Sequence, residues 1–137
     1  MKYYAILDTN VIVSALLKTG SVPGQVAAEA LCGDILPVVN DGILAKYEDV
    51  LNRPKFKFNK HAVRVFLDDF KARAVFAEAG IIEDAVADPK DVVFYAVLME
   101  KRKEEDAYLV TGNLKHFPAR TYIVTPREML DLVQMGK

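Results

Sequence analysis

The sequence has little of several residue types, and each shortage argues against a class of protein. It contains one cysteine, Cys32, and two histidines. An internal disulfide is therefore impossible, and no Cys/His cluster points to zinc. Cys32 lies in an apolar helical pattern, and we expect it to be a buried structural thiol. No apolar run approaches the roughly 20 residues that a membrane-spanning helix needs.

The sequence also lacks the excess of positive charge that is typical of dedicated nucleic-acid binders. Its net charge is −1, so the overall charge gives no support to such a function. The length of 137 residues and the 52% apolar content suit one domain, residues 1–137, with a well-packed core. The apolar run before Asp8 is too short for a signal peptide, and the expected location is the cytoplasm.

Positive charge is concentrated in two short segments. The first segment interleaves basic residues with two phenylalanines, and its basic residues are Arg53, Lys55, Lys57, Lys60 and Arg64. The second segment is a run of three basic residues, Lys101, Arg102 and Lys103. Such clusters are typical either of solvated helix ends or of contacts with an RNA backbone. The pattern alone leaves both interpretations open.

Short apolar segments alternate with helical patterns along almost the whole chain. Strands are predicted at 3–7, 35–39, 108–111 and 122–125, and the ambiguous stretch 75–86 has room for a short one. Helices are predicted at 11–17, 25–31, 41–52, 59–74, 88–99 and 126–133, with Gly20, Pro23 and Gly24 interrupting the first two. This order predicts an α/β fold whose mostly parallel sheet is covered by helices on both faces.

Polar residues follow two of the predicted strands. Asp8, Thr9 and Asn10 come directly after the first strand, and Gly112-Asn113 follows the strand that ends at Thr111. Ligands of such folds bind outside the carboxyl ends of the strands, so these residues are candidates for a site. The alternatives are a helix N-cap at Asp8 and an ordinary turn at Asn113.

Two helices contribute further acids. Glu48 lies at the flank of the apolar face of helix 41–52, where it needs a cation, a hydrogen-bond donor or water. Asp88-Pro89-Lys90-Asp91 opens an apolar helix, with Asp88 as the expected N-cap and Asp91 near the end of the sheet. Capping and metal binding are compatible here because each carboxylate has two oxygens.

Four segments taken together carry a resemblance to a known family: Asp8-Thr9-Asn10-Val11; Glu48 with Val50-Leu51-Asn52-Arg53-Pro54-Lys55-Phe56; Asp88-Pro89-Lys90-Asp91; and Tyr108-Leu109-Val110-Thr111-Gly112-Asn113-Leu114-Lys115-His116-Phe117. In this order they resemble the PIN domain family, from Tyr3 to about Leu132. The branch that they resemble most is that of the toxin components of toxin–antitoxin pairs.

The resemblance implies a three-layer α/β/α sandwich and the activity of an Mg²⁺- or Mn²⁺-dependent endoribonuclease. It also implies a bound antitoxin protein and a homo-oligomer. The implied catalytic and metal-binding acids are Asp8, Glu48 and Asp91, with Asn113 where many relatives carry a fourth acid. Groups that would orient carboxylates or water are Thr9, Asn10, Asp88 and Thr111. Residues expected to contact RNA are Arg53, Lys55, Lys57, Lys115 and His116.

This chemistry suits the residue types present. Mg²⁺ prefers hard oxygen ligands, and a bound metal lowers the pKa of its water, so phosphodiester hydrolysis needs no histidine base. Two other functions stay open. One is a catalytically degenerate PIN domain that binds RNA or protein, which Asn113 favours. The other is a phosphoacceptor signalling domain. The acceptor aspartate of such a domain follows a central strand, whereas Asp8 follows the first strand of this chain.

Overall fold

Five parallel strands form the central sheet of the protein, which is described here over residues 2–136 of a computed structural model. The strands are β1 (Tyr3–Leu7), β2 (Ile35–Val39), β3 (Val75–Phe76), β4 (Ala107–Val110) and β5 (Ile123–Val124). Their order across the sheet is β3-β2-β1-β4-β5, and every neighbouring pair is parallel. The first strand of the chain therefore lies in the middle of the sheet.

Six α-helices accompany the sheet within residues 2–136: α1 (Thr9–Leu17), α2 (Val22–Cys32), α3 (Asp41–Leu51), α4 (Lys60–Arg73), α5 (Val92–Lys101) and α6 (Pro126–Met135). The connections from β1 to β2 and from β2 to β3 run in one direction across the sheet. The connection from β3 to β4 runs in the opposite direction and crosses β2 and β1. Because parallel crossovers are right-handed, this reversal puts α5 on the face opposite α1 to α4. The predicted three-layer α/β/α architecture with a parallel sheet is confirmed.

The strands read as continuous apolar runs because helices cover both of their faces. Ala5, Ile6 and Leu7 of β1 are fully buried, as are Leu109 and Val110 of β4. α5 packs on β1 and β4, while α2 packs on β2, α1 and α6. The burial of both strands leaves their carboxyl ends as the place where polar groups first occur.

The reversal of strand order occurs between β1 and β4, which creates the crevice where ligands of such sheets bind. Leu7 is paired with Val110, so the next residues, Asp8 and Thr111, emerge side by side at the carboxyl ends of these strands. The topology thus brings together the two polar segments that the sequence singled out.

Helix starts agree with the capping residues in the sequence. The side chain of Asn59 accepts a hydrogen bond from the Ala62 backbone N–H at 3.0 Å and begins α4, as predicted. Asp88 accepts one from the Lys90 N–H at 2.9 Å, which confirms its capping role. It opens a 3₁₀ turn, Pro89–Asp91, that leads directly into α5.

Two expectations are wrong. Cys32 is exposed rather than buried, because it is the last residue of α2, where the apolar pattern meets solvent. Pro23 and Gly24 do not lie in the break between the first two helices but occupy the first turn of α2. Proline is tolerated there because a backbone N–H in the first turn would have no partner within the helix. Gly24 is required there because a Cβ would collide with the Thr19 carbonyl.

No single helix within residues 2–136 is long and apolar enough to cross a membrane. Taken together, α1 and α2 have the length and apolar composition of a membrane span, but there is a bend of 105° between them. Both helices contribute residues to the hydrophobic core.

Candidate active site at the ends of β1 and β4

Asp8 is a buried carboxylate at the end of β1, with only 4% of its surface exposed. Its backbone N–H continues the ladder by donating to the Val110 carbonyl at 2.9 Å. Asp8 occupies the N-cap position of α1, but its side chain makes no capping hydrogen bond. Capping therefore does not explain why a carboxylate is buried here.

Thr111 holds the Asp8 side chain from the neighbouring strand. Its hydroxyl donates to Asp8 Oδ2 at 2.7 Å and accepts the backbone N–H of Asn113 at 3.0 Å. Thr111 itself is fully buried, and its N–H donates to the Val124 carbonyl at 2.9 Å. The hydroxyl therefore has a fixed position, and it fixes one Asp8 oxygen in turn.

Asp91 provides a second carboxylate, from the 3₁₀ turn before α5. Its side chain is 14% exposed, and its Oδ2 lies 3.1 Å from His116 Nδ1. His116 belongs to the turn that follows β4 (Leu114–His116), and its side chain is 45% exposed. Residues from three distant segments of the chain thus surround one carboxyl end of the sheet.

The charges of Asp8 and Asp91 influence each other. Burial raises the pKa of the Asp8 carboxyl above its ordinary value, and the negative charge of Asp91 raises it further. The Thr111 hydroxyl, the Thr9 backbone N–H and His116 oppose this rise. Two partly desolvated carboxylates that repel each other form a candidate functional site, and a cation bound there would relieve the repulsion.

The other predicted orienting groups lie around this pair. Thr9 contributes its backbone N–H to Asp8, and Asn10 is exposed in the first turn of α1. Asn113 is half-buried, and its carbonyl accepts the His116 backbone N–H at 3.0 Å. Asp88 is occupied as a helix cap.

Glu48 is not brought to Asp8 and Asp91. Its side chain is exposed and lines a groove of about 380 Å³ between α3 and α4, together with Leu44, Asn52, Lys60, Val63, Arg64, Leu67, Asp68 and Lys71. Within residues 2–136 no group of three or more His, Cys, Asp or Glu side chains is arranged to hold a metal ion. The pair of carboxylates at the sheet edge therefore has no third acid in this arrangement.

The donor chemistry of the pair nevertheless fits a hard divalent cation. Mg²⁺ commonly binds proteins through one or two carboxylates and keeps several waters, which other ligands then replace. Asp8 and Asp91 offer hard oxygens at a partly buried edge, and Gly112 beside them is open, since an added Cβ would meet nothing within 4 Å. The solvent side of this edge is therefore not blocked at Gly112.

The predicted RNA-contacting residues divide into two groups. Lys115 is exposed beside His116 at the sheet edge. Arg53, Lys55 and Lys57 are exposed in the connection between α3 and α4, where Phe56 and Phe58 stack with ring centroids 5.6 Å apart. Arg53 is ion-paired with Asp49 at 3.1 Å, which leaves Lys55 and Lys57 as the freer charges of that group.

Sequence reasoning missed the role of Tyr47. The sequence pattern does not single out Tyr47, yet its buried hydroxyl donates to the Leu7 carbonyl at 2.5 Å, directly before Asp8. Burial raises the pKa of Tyr47 well above its usual value, and the charge of Asp8 adds to this effect. A tyrosine on a buried face requires a partner for its hydroxyl, which is the signal that would have found this contact.

Comparison with known proteins agrees with this fold. A chain in the crystal structure of VapBC2 from Rickettsia felis, bound to a DNA fragment from their promoter, is similar with a TM-score of 0.52 and 15% identity, over 82% of this chain and 89% of that chain. At that identity the similarity concerns the fold. No curated protein matches the sequence. A family model described as a PIN domain matches residues 4–115, most of the length, and the chain therefore belongs to the PIN domain family.

Proposed function

We propose that this protein is an Mg²⁺- or Mn²⁺-dependent endoribonuclease whose active site is built on Asp8 and Asp91. The observation that carries the proposal is the buried Asp8 carboxylate, held by Thr111 and raised in pKa by burial and by Asp91. Such a carboxylate is costly to the fold unless a cation or a substrate compensates it. PIN domains are generally nucleases, and membership of the family supports the same assignment.

Asp8 and Asp91 would hold the cation, with the Asn113 amide as a further oxygen donor. A divalent ion in this position supplies a water of lowered pKa and stabilises negative charge on a phosphate. The chain's own contribution is positional: Thr111 and the Thr9 N–H fix Asp8, and His116 contacts Asp91. The metal-binding role of Glu48 stays a prediction from the family resemblance, and RNA cleavage by the Glu48→Gln variant tests it.

The substrate proposed is single-stranded RNA. Lys115 and His116 at the sheet edge, and Lys55 and Lys57 beyond α3, would bind its phosphates. Charge of this kind gives sequence-independent affinity that weakens as salt rises. The near-neutral net charge of the chain makes these local charges the main source of attraction.

The decisive experiment is cleavage of a mixed single-stranded RNA with Mn²⁺, with Mg²⁺ and with a chelator. Wild-type protein should cut only with metal. The cleavage rate of Asp8→Asn should be at least about 100-fold lower than that of the wild type. Mutating a group that only supports a metal ligand already lowers activity by about 10- to 100-fold. Glu105→Gln is the matched control, because Glu105 is an exposed acid that precedes the amino end of β4, whereas the site lies at the carboxyl end. Equal cutting by wild type and Asp8→Asn would indicate a contaminant and contradict the proposal.

We also propose that the protein is the toxin of a toxin–antitoxin pair and forms a homo-oligomer. The support is the resemblance of its sequence to that branch and the similarity of its fold to a chain of a VapBC2 structure. Co-expression with the protein encoded next to it should give a stable complex with reduced RNA cleavage. A neighbour that neither binds nor inhibits would remove the toxin assignment and leave the nuclease proposal intact.

A second function has its own support, namely a degenerate PIN domain that binds RNA without cutting it. Asn113 stands where many relatives carry an acid, and the described residues bring no three acids together. In that case wild-type protein binds RNA but does not cut it, and Asn113→Asp confers cutting. Cleavage by the wild type that requires metal and Asp8 would reject this alternative.

A further inference from the structure

Helix α3 passes over the carboxyl end of β1, and two contacts fix its rotation there. The Tyr47 hydroxyl reaches the Leu7 carbonyl at 2.5 Å. Gly42 lies about one and a half helical turns before Tyr47. A Cβ atom added to Gly42 would lie 3.6 Å from Cγ2 of Val93, at the start of α5, so this side of Gly42 faces α5. These two directions bound the sector of α3 that faces Asp8 and the turn carrying Asp91.

Lys46 is the charged residue of α3 inside this sector. Each residue turns a helix by about 100°, so relative to Gly42, Tyr47 lies at about 140° and Lys46 at about 40°. Glu48 lies at about 240°, outside the sector, which agrees with its position in the groove against α4. The flank of α3 that faces the two carboxylates therefore carries a lysine rather than an acid.

The ammonium of Lys46 is free to bind a ligand. The residue is half-buried on α3. Across residues 2–136 no carboxylate lies within ion-pair distance of it. A long, flexible lysine stem can carry its charge several ångströms from the backbone, and ammonium groups bind phosphate as point charges.

We propose that Lys46 binds a phosphate of the RNA substrate at the Asp8–Asp91 site. The inference rests on the proposed ribonuclease function and adds a substrate-binding residue to it. Two carboxylates repel a phosphate that approaches them, and one positive charge on the facing helix offsets this repulsion.

The test is binding of a fluorescently labelled single-stranded RNA, measured by anisotropy with chelator present so that no cleavage occurs. Lys46→Met removes the charge and keeps the stem, and it should weaken binding by about tenfold. The plot of log affinity against log salt should lose about 0.7 of slope, the value for one phosphate contact on a single strand. Lys46→Arg should keep the slope.

Two controls separate this effect from general charge and from folding. Lys18→Met removes an exposed lysine at the far end of α1 and should leave affinity and slope within about twofold. Urea unfolding of Lys46→Met is the second control and should give the wild-type midpoint, because the variant keeps the apolar stem of the side chain. In the cleavage assay Lys46→Met should raise KM with little change in kcat, since it removes binding and leaves the acids in place.

The outcomes distinguish the inference from the function it rests on. If Lys46→Met binds RNA with the wild-type affinity and slope while the wild type still cuts, the role of Lys46 is overturned and the nuclease stands. If Glu48→Gln changes binding or cleavage and Lys46→Met does not, the assignment of the two flanks of α3 is overturned. If the wild type neither binds nor cuts RNA, both proposals fail.

Discussion

Asp8 combines a cost to stability with a proposed role in catalysis. Its carboxylate is buried beside Asp91, so its pKa in the folded protein is raised above the unfolded value. A raised carboxyl pKa means that the ionised group destabilises the fold at neutral pH, and that this cost disappears as the pH falls through the folded pKa towards the unfolded one. The same property that would attract a cation weakens the metal-free protein.

We therefore expect Asp8→Asn to be more stable than the wild type at pH 7 without metal. The amide keeps an oxygen for the Thr111 hydroxyl and carries no charge to be repelled by Asp91. The difference should shrink as the pH falls, because the wild-type carboxyl then takes up its proton. Urea unfolding of both proteins between pH 7 and pH 4 measures this. A variant that is less stable than the wild type at pH 7 would contradict this account.

Thr111 is the second residue on which the site depends. Thr111→Val keeps the shape but removes the hydroxyl that serves Asp8 and the Asn113 N–H. Leaving buried partners without a hydrogen bond should cost about 1–3 kcal/mol of unfolding free energy. Cleavage should fall by about 10- to 100-fold, as for other groups that orient a metal ligand.

Thr111→Ser restores the hydroxyl and is the matched control for Thr111→Val. It should recover most of the activity and part of the stability, because it lacks only the methyl group. Equal activity of the valine and serine variants would show that Asp8 needs no hydrogen-bond partner at position 111.

Among the elements, α3 depends on one polar contact for its position over β1. Tyr47→Phe removes the hydroxyl that donates to the Leu7 carbonyl in a fully buried place. We expect a loss of about 1–3 kcal/mol, measured by urea unfolding, because the carbonyl keeps no other donor for that lone pair. Tyr108→Phe, at a half-buried tyrosine of β4, should cost much less. Equal losses in both variants would show that the Tyr47 hydroxyl has no special role.

The elements themselves were largely predictable from the sequence, and the orientation of α3 was not. Apolar runs bounded by polar residues located four of the five strands, and the two-residue β3 lies in the stretch 75–86 that the pattern left ambiguous. Glu48 was correctly placed at a flank of the apolar face of α3. An amphipathic helix has two such flanks, and only tertiary contacts decide which one faces α4 and which faces α5. Cys32 was misjudged for a related reason, since periodicity cannot show where a helix ends.

For the whole molecule, metal binding should appear as stability. A ligand that binds only the folded state at 100 times its Kd adds about 2.7 kcal/mol, which for a chain of this size raises Tm by roughly 8 °C. Mn²⁺ should produce such a shift in the wild type, and Asp8→Asn should abolish it. The measurement is thermal unfolding with Mn²⁺ against chelator, with Ca²⁺ as a comparison ion. An equal Mn²⁺ shift in both proteins would indicate that the ion binds elsewhere.

The hydrogen bond between Asp8 and Thr111 joins residues 103 positions apart in the chain. During translation β1 is made before β4, so one edge of β1 has no partner until β4 has left the ribosome. A nascent or prematurely terminated chain that stops before Thr111 carries Asp8 but lacks the group that anchors it. The proposed site therefore cannot assemble until Thr111 has been synthesised, and a fragment that ends before Thr111 is expected not to cut RNA.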